Sequence, residues 1–123
     1  MSHLTIAVDE AERALAEACR RGHAEVVAFT VAPRRRSERE PWDGHDWLIE
    51  FADPPRAPGV FARVLDESLC RLHGTLAPPR VIELPAGTFH GRSIPRVTTD
   101  RAVADGLIAI AGTGRVPLLS VGP

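Results

Sequence analysis

At 123 residues, with 44% hydrophobic and 25% charged side chains, the chain is sized and composed for one water-exposed globular domain. A formal net charge of -1 excludes the strongly basic face of a general nucleic-acid binder, and no apolar run approaches the ~20 residues that a membrane-spanning helix needs. All 15 basic residues are arginine, so any chemistry that depends on a lysine ammonium is closed to this chain.

The N-terminus, MSHLTIAVDE, lacks the basic start and long apolar centre of a secretory signal, and a cytoplasmic location is therefore expected. Residues 4 to 8, LTIAV, predict a short strand. Asp9 with Glu12 three positions on predicts a capping box. Ala11, Ala14, Leu15 and Ala18 then repeat at helical spacing, and Gly22 is placed to stop the helix. A stripe made mostly of alanine predicts close approach to whatever the helix covers.

EVVAFTVA, residues 25 to 32, predicts a strand with Val27, Phe29 and Val31 on one face. An exposed loop is expected over residues 33 to 44. Its arginine run, Arg34 to Arg36, is offset by Glu38 and Glu40 and reads as solvated. DWLIEFA, residues 46 to 52, predicts a second strand in which Trp47, Ile49 and Phe51 alternate with Leu48 and Glu50. DPPRAP breaks it. Phe61, Val64, Leu65, Ser68, Leu69 and Leu72 form the clearest helical stripe, ending at Gly74. RVIELP predicts another strand, and Val103, Gly106, Leu107 and Ile110 mark a last helix. The tail, residues 112 to 123, is expected either to add an edge strand or to pack loosely.

This order predicts an α+β fold of the ferredoxin-like, split-βαβ kind. The expectation is a four-stranded, mostly antiparallel sheet with two helices on one face and an extra C-terminal helix, forming a single domain over residues 1 to 123.

Few residues carry a chemical signal. His3, His23, His45, His73 and His90 show no metal-ligand spacing, so no metal site is expected. His23 and His73 fall at helix C-termini, where the macrodipole favours them. Cys19 and Cys70 are 51 positions apart inside helices and read as buried free thiols. No nucleophile elbow, phosphate loop or dinucleotide motif occurs, and GTGR at 112 to 115 reads as a turn. No residue is assigned as catalytic; His90 and Ser93, with Asp100 as a conceivable third member, are what an independent small enzyme would use.

The segment ELPAGTFHGRSIPRVTTDR, residues 83 to 101, is more suggestive. Gly87 and Gly91 permit conformations that expose N–H groups, Thr88 adds a hydroxyl, and Arg92 and Arg96 carry forks suited to phosphate or carboxylate. An anion-binding loop and a plain connection both fit these residues.

HDWLIEFADPP, FARVLDESLCRL, PPRVIELPAGTFH and IPRVTTDR follow one another in an order that resembles the small C-terminal domain of the auxin-responsive acyl-amido synthetases. Gly-Thr-Phe at 87 to 89 and Pro-Arg at 95 and 96 are the most specific pieces. The resemblance implies a small domain that swings across an active site built by a larger domain, which binds ATP and a carboxylic acid and makes an acyl-adenylate for transfer to an amine. It implies further that a longer loop, carrying a lysine that meets phosphate, is here reduced to HGRS with Ser93 in the lysine's place.

On that resemblance the chain is expected to act as an accessory half, with a separate large adenylating protein as partner. Gly87, Thr88, Phe89, Arg92 and Arg96 would be the partner-facing or anion-binding residues. No cofactor is expected on the chain alone, with ATP or acyl-adenylate met only through the partner. The alternative expectation is a small-molecule-binding or regulatory module, self-associating through an exposed sheet face lined by Trp47, Phe51 and the strand from Arg80 to Leu84.

Overall fold

The structure, a computed structural model, describes residues 6–33, 44–74, 79–98, 101–111 and 119–120. Along the chain these form α1 (Val8–Gly22), β1 (Glu25–Pro33), β2 (His45–Asp53), α2 (Pro58–His73), β3 (Arg80–Leu84), α3 (Arg101–Ala111) and β4 (Leu119–Ser120). The inner residues of the expected loop (34–43), Asp100, and all of the expected tail except Leu119 and Ser120 lie outside the described residues. No helix among the described residues is long and apolar enough to cross a membrane.

The expected strand at 4 to 8 is not found over its described part. Ile6 and Ala7 lie outside any strand, and Val8 already opens α1. The helix begins early because Glu10, not Glu12, reaches back: its carboxylate accepts the Ala7 N–H at 3.0 Å. That contact satisfies one of the donors a helix start leaves open.

Among the described residues the sheet differs from the expected one. In the split motif the first strand separates the two strands joined by the second helix. Here β2 and β3 become direct neighbours, and a helical crossover makes them parallel: Asp46 faces Arg80 and Glu50 faces Leu84 in register. β1 pairs antiparallel with β2. The expected four-stranded, mostly antiparallel sheet is thus corrected to a mixed sheet of three full strands, β1-β2-β3. The two-residue β4 adds an antiparallel ladder at the start of β3.

Both sheet faces are covered. On one, Phe29, Val31, Trp47, Ile49, Phe51 and Val81 pack under α1 and α2, with Phe29 stacked on Trp47 at 6.0 Å and Phe51 edge-on to Phe61 at 5.6 Å. On the other, Leu48, Ile82 and Leu84 pack with Phe89, Ala104 and Leu107, so the C-terminal helix does cover that side. The alternation expected for the second strand holds, and residues 45 to 51 are buried throughout. Trp47 and Phe51 therefore lie beneath helices and do not line an open face, which removes the surface expected for self-association through the sheet.

The first strand expectation fails at one residue. Val27 is 59% exposed, because the register of β1 against β2 shifts between Val26 and Ala28. A bulge there turns Val27 out of the face it was expected to share with Phe29 and Val31.

The alanine stripe of α1 is fully buried, and its main partner is α2. The helices run antiparallel and are held at both ends. Gly22 O accepts the Arg56 N–H at 3.0 Å, and Glu10 Oε1 lies 2.9 Å from His73 Nδ1. Gly22 is not the helix stop that was expected. It is the last helical residue, and His23 takes the left-handed conformation after it with φ 56°. A Cβ on Gly22 would meet the Cβ of Phe61 at 2.9 Å, so the glycine is needed for close helix approach.

Two outcomes follow. Gly22→Ala should destabilise the chain by about 1–3 kcal/mol through overpacking against α2, read by urea denaturation. The Ala7 N–H, and then His73, hold the Glu10 carboxyl below the usual carboxylate range. A depressed folded value stabilises above the unfolded value of ~4.3 and loses that contribution as pH falls through the folded one. The stability gap between the native chain and Glu10→Gln should be present at neutral pH and close in acid; a gap constant down to low pH contradicts this origin.

Candidate functional site

The segment from Pro85 to Thr98 holds Gly87, Thr88, Phe89, His90, Arg92, Ser93 and Arg96, the residues expected to bind an anion, face a partner or serve a small enzyme. Leaving β3 at Leu84, it winds through successive tight turns: Thr88 N–H to Pro85 O at 3.2 Å, His90 N–H to Gly87 O at 3.1 Å, and Arg92 N–H to Phe89 O at 3.1 Å. Gly87 and Gly91 have φ of 89° and 72°, values that favour glycine. The turn therefore exists because the two glycines permit it.

The donors of this turn point at a carboxylate that the chain itself supplies. Glu50, in the middle of β2 and only 5% exposed, accepts the Gly87 N–H on Oε2 at 2.8 Å and the Phe89 N–H on Oε1 at 2.9 Å. A buried carboxylate is costly without partners, and exposed backbone donors supply them. The Thr88 hydroxyl donates to Pro85 O at 2.6 Å, and Arg92 Nε donates to Thr88 O at 2.9 Å. Thr88 and Phe89 are buried, while His90, Arg92 and Ser93 are exposed.

Of the residues singled out from the sequence, Gly87, Thr88, Phe89 and Arg92 are brought together in one turn. Arg96 stands apart. Its Nη1 lies 3.0 Å from Glu12 Oε2 on α1, both side chains largely in solvent. His90 and Ser93 are near in sequence, but neither side chain has a hydrogen-bond partner among the described residues, so no nucleophile–base contact is formed there. No cluster of three or more metal-ligating side chains occurs among the described residues.

The turn continues into a second anchor. Thr30 Oγ1 donates to Pro95 O at 2.6 Å, Val31 N–H donates to Arg96 O at 2.8 Å, and Thr98 N–H donates to Val31 O at 2.9 Å. Between this segment, α1 and the start of β1 lies an open groove of about 960 Å³. Leu15, Cys19, Phe29, Phe89 and Ile94 give it an apolar lining, with Arg92 and Arg96 on one wall and Glu12 and Glu25 also facing it.

The thiols are free and half-buried rather than fully buried. Burial pushes the Cys19 thiol up, away from the reactive thiolate. Asp66 is pushed up as well, by burial and then by Glu67, against the lowering effect of the Cys70 thiol 3.9 Å away.

Glu50 is the residue beneath the turn that the sequence reading missed, together with the pair formed by Asp46 and Arg80. That pair is two-pronged, with Arg80 Nε and Nη2 each 2.9 Å from an Asp46 oxygen. The available signal was parity. Glu50 shares a strand face with Leu48, so that face had to be covered, and a carboxylate beneath a cover needs donors.

Glu50→Gln should cost about 1–3 kcal/mol, because the amide keeps one acceptor but turns a donor toward a backbone N–H. Amide exchange at Gly87 and Phe89 should quicken more than elsewhere; uniform quickening over the chain would reduce Glu50 to general packing.

Comparisons with known proteins bear on the family and the fold. The model of the GH3 family C-terminal domain matches residues 9–93, which takes in the turn at Gly87 to Gly91 and stops before Pro95 and Arg96. Fourteen chains of solved structures match the fold. One of them, a GH3.15 acyl acid amido synthetase, superposes with a TM-score of 0.60 at 13% identity over 93% of this chain. The chain spans 24% of that structure's length. No curated protein matches the sequence. A family match over most of the chain, with the same fold in a solved amido synthetase, makes this chain a member of the GH3 C-terminal domain family.

Proposed function

We propose that this chain is an accessory, lid-like domain in amide-bond formation between a carboxylic acid and an amine or amino acid. It works in trans with a separate acyl-adenylating protein and is not a ligase by itself. One observation carries the reading: the turn that the sequence offered as an anion cradle is filled by Glu50. Its N–H groups are spent inside the domain, and what faces outward is a braced surface.

The charge inventory supports the same conclusion. The chain has no lysine, and the exposed Ser93 stands where the resemblance implies one. A hydroxyl cannot stabilise developing phosphate charge as an ammonium does, and losing one such contact costs about 3–4 kcal/mol of transition-state stabilisation. Covering a partner's active site needs no charge. Excluding water and positioning an amine require a shaped surface that closes and opens. ATP and acyl-adenylate reach this chain only in the partner's site, where Arg92 and Arg96, at the exposed end of the segment, face them.

The test is reconstitution. Adding the purified chain to a purified adenylating protein that lacks such a domain, with acid, ATP and amine, should raise conjugate formation about tenfold or more while leaving acid-dependent pyrophosphate exchange unchanged. Failure of the two proteins to associate, or an unaltered conjugation rate, overturns the proposal. So does conversion of ATP and acid to AMP by the chain alone.

A further inference from the structure

We propose that the turn from Pro85 to Arg92 is a receptor for a small monocarboxylate, that Glu50 is its resident occupant and aims Arg92 through it, and that free acetate takes the same place once the Glu50 side chain is cut back to its β-carbon. The turn's own hydrogen bonds carry this, independently of the accessory role above.

From Gly87 to His90 the backbone N–H groups alternate in use. Those of Thr88 and His90 close the turn on Pro85 O and Gly87 O, while those of Gly87 and Phe89 leave it and meet Glu50. The turn therefore cannot satisfy its own inward pair. Each of the two goes to a different carboxylate oxygen, at 2.8 and 2.9 Å, the short distances of charge-assisted bonds. Without the carboxylate, the N–H of buried Phe89 loses its acceptor, and an unpaired buried donor is costly. An emptied seat thus favours any anion that fits it.

Size and charge select the occupant. Glu50→Ala removes Cγ, the carboxyl carbon and both oxygens, which together are the heavy atoms of acetate. The surroundings are apolar: Ala28 and Leu84 are the register partners of Glu50 on its two sides, and Leu48, Leu84 and Phe89 share one hydrophobic cluster. No guanidinium or imidazole among the described residues pairs with Glu50. A pair of neutral donors in an apolar setting suits a single delocalised negative charge. A phosphate dianion brings more oxygens than there are donors, and a second charge that nothing there offsets. The seat is one for carboxylates.

Its occupant is felt at the surface. The Phe89 N–H and the Thr88 C=O belong to one peptide unit, whose N–H donates inward to Glu50 and whose carbonyl accepts outward from Arg92 Nε at 2.9 Å. Fixing that peptide plane fixes both bonds, and each polarises the other. Arg92 is exposed, and its N–H is held in turn by Phe89 O at 3.1 Å. Glu50 is therefore a positioning residue, acting on the direction of the Arg92 guanidinium through a single peptide group.

The experiment compares the native chain, Glu50→Ala and Glu50→Gln at full length, isotope-labelled and followed by NMR. In Glu50→Ala the amides of Gly87 and Phe89 and the Nε–H of Arg92 should lose protection together. Labelled acetate should then show contacts to the Gly87 and Phe89 amides, and at about ten times its dissociation constant it should slow exchange of all three groups about tenfold. Phosphate at matched ionic strength should do neither. The native chain and Glu50→Gln, whose seats are full, should not respond to acetate. If Glu50→Ala is unfolded in buffer, acetate should restore its native spectrum. The proposal is overturned if Glu50→Ala, folded or not, ignores acetate at roughly 200 mM. It is overturned equally by rescue with phosphate, by a response of Glu50→Gln, or by acetate that protects the two amides while the Arg92 Nε–H stays unprotected.

Discussion

The carboxylate of Glu50 organises the turn that follows β3. Placed in the buried stretch of β2 and only 5% exposed, it is accepted there because two backbone N–H groups converge on it. Those groups converge only if the chain after β3 turns tightly, and two glycines with positive φ make that turn. The same turn sets Phe89 into the core on the α3 side and leaves His90, Arg92 and Ser93 at the surface. An internal anion thus does the structural work that a bound anion would do in an open cradle. The arrangement is rigid because each party would be costly to leave unpaired.

A second constraint acts on the opposite face. α1 buries alanines and a glycine where most helices bury leucines, so it approaches α2 closely. The pair is fastened at both ends by contacts of different kinds, a backbone carbonyl at Gly22 and the Glu10–His73 contact. With the pair laid over Phe29, Val31, Trp47 and Ile49, the sheet is closed on the side where the split motif would leave α1 linked to a first strand. β2 then takes the centre, β3 becomes its parallel neighbour, and β1 is left as an edge. The open groove lies beside the start of that edge.

The loop after β3 is braced by polar contacts buried beneath it. Asp46 with Arg80, and Glu50 with the turn, tie β2 to the segments after α2. Their donors and acceptors are matched inside the domain.

Much of this was legible in the sequence. Helical spacing of Ala11, Ala14, Leu15 and Ala18, and of Phe61, Val64, Leu65, Ser68 and Leu69, specified two amphipathic helices, because apolar periodicity is a local property. Alternation at Trp47, Ile49 and Phe51 specified a strand for the same reason, and motif order specified the family. Local pattern could not decide which strands are neighbours, because pairing depends on what lies between them in space. Nor could it show that Gly22 serves the approach of Phe61, 39 positions away, instead of stopping a helix. The destination of the Gly87 and Phe89 donors was equally hidden. A backbone N–H looks the same in sequence whether it waits for a ligand or meets Glu50, and only the packing of β3 beside β2 brings the carboxylate within reach.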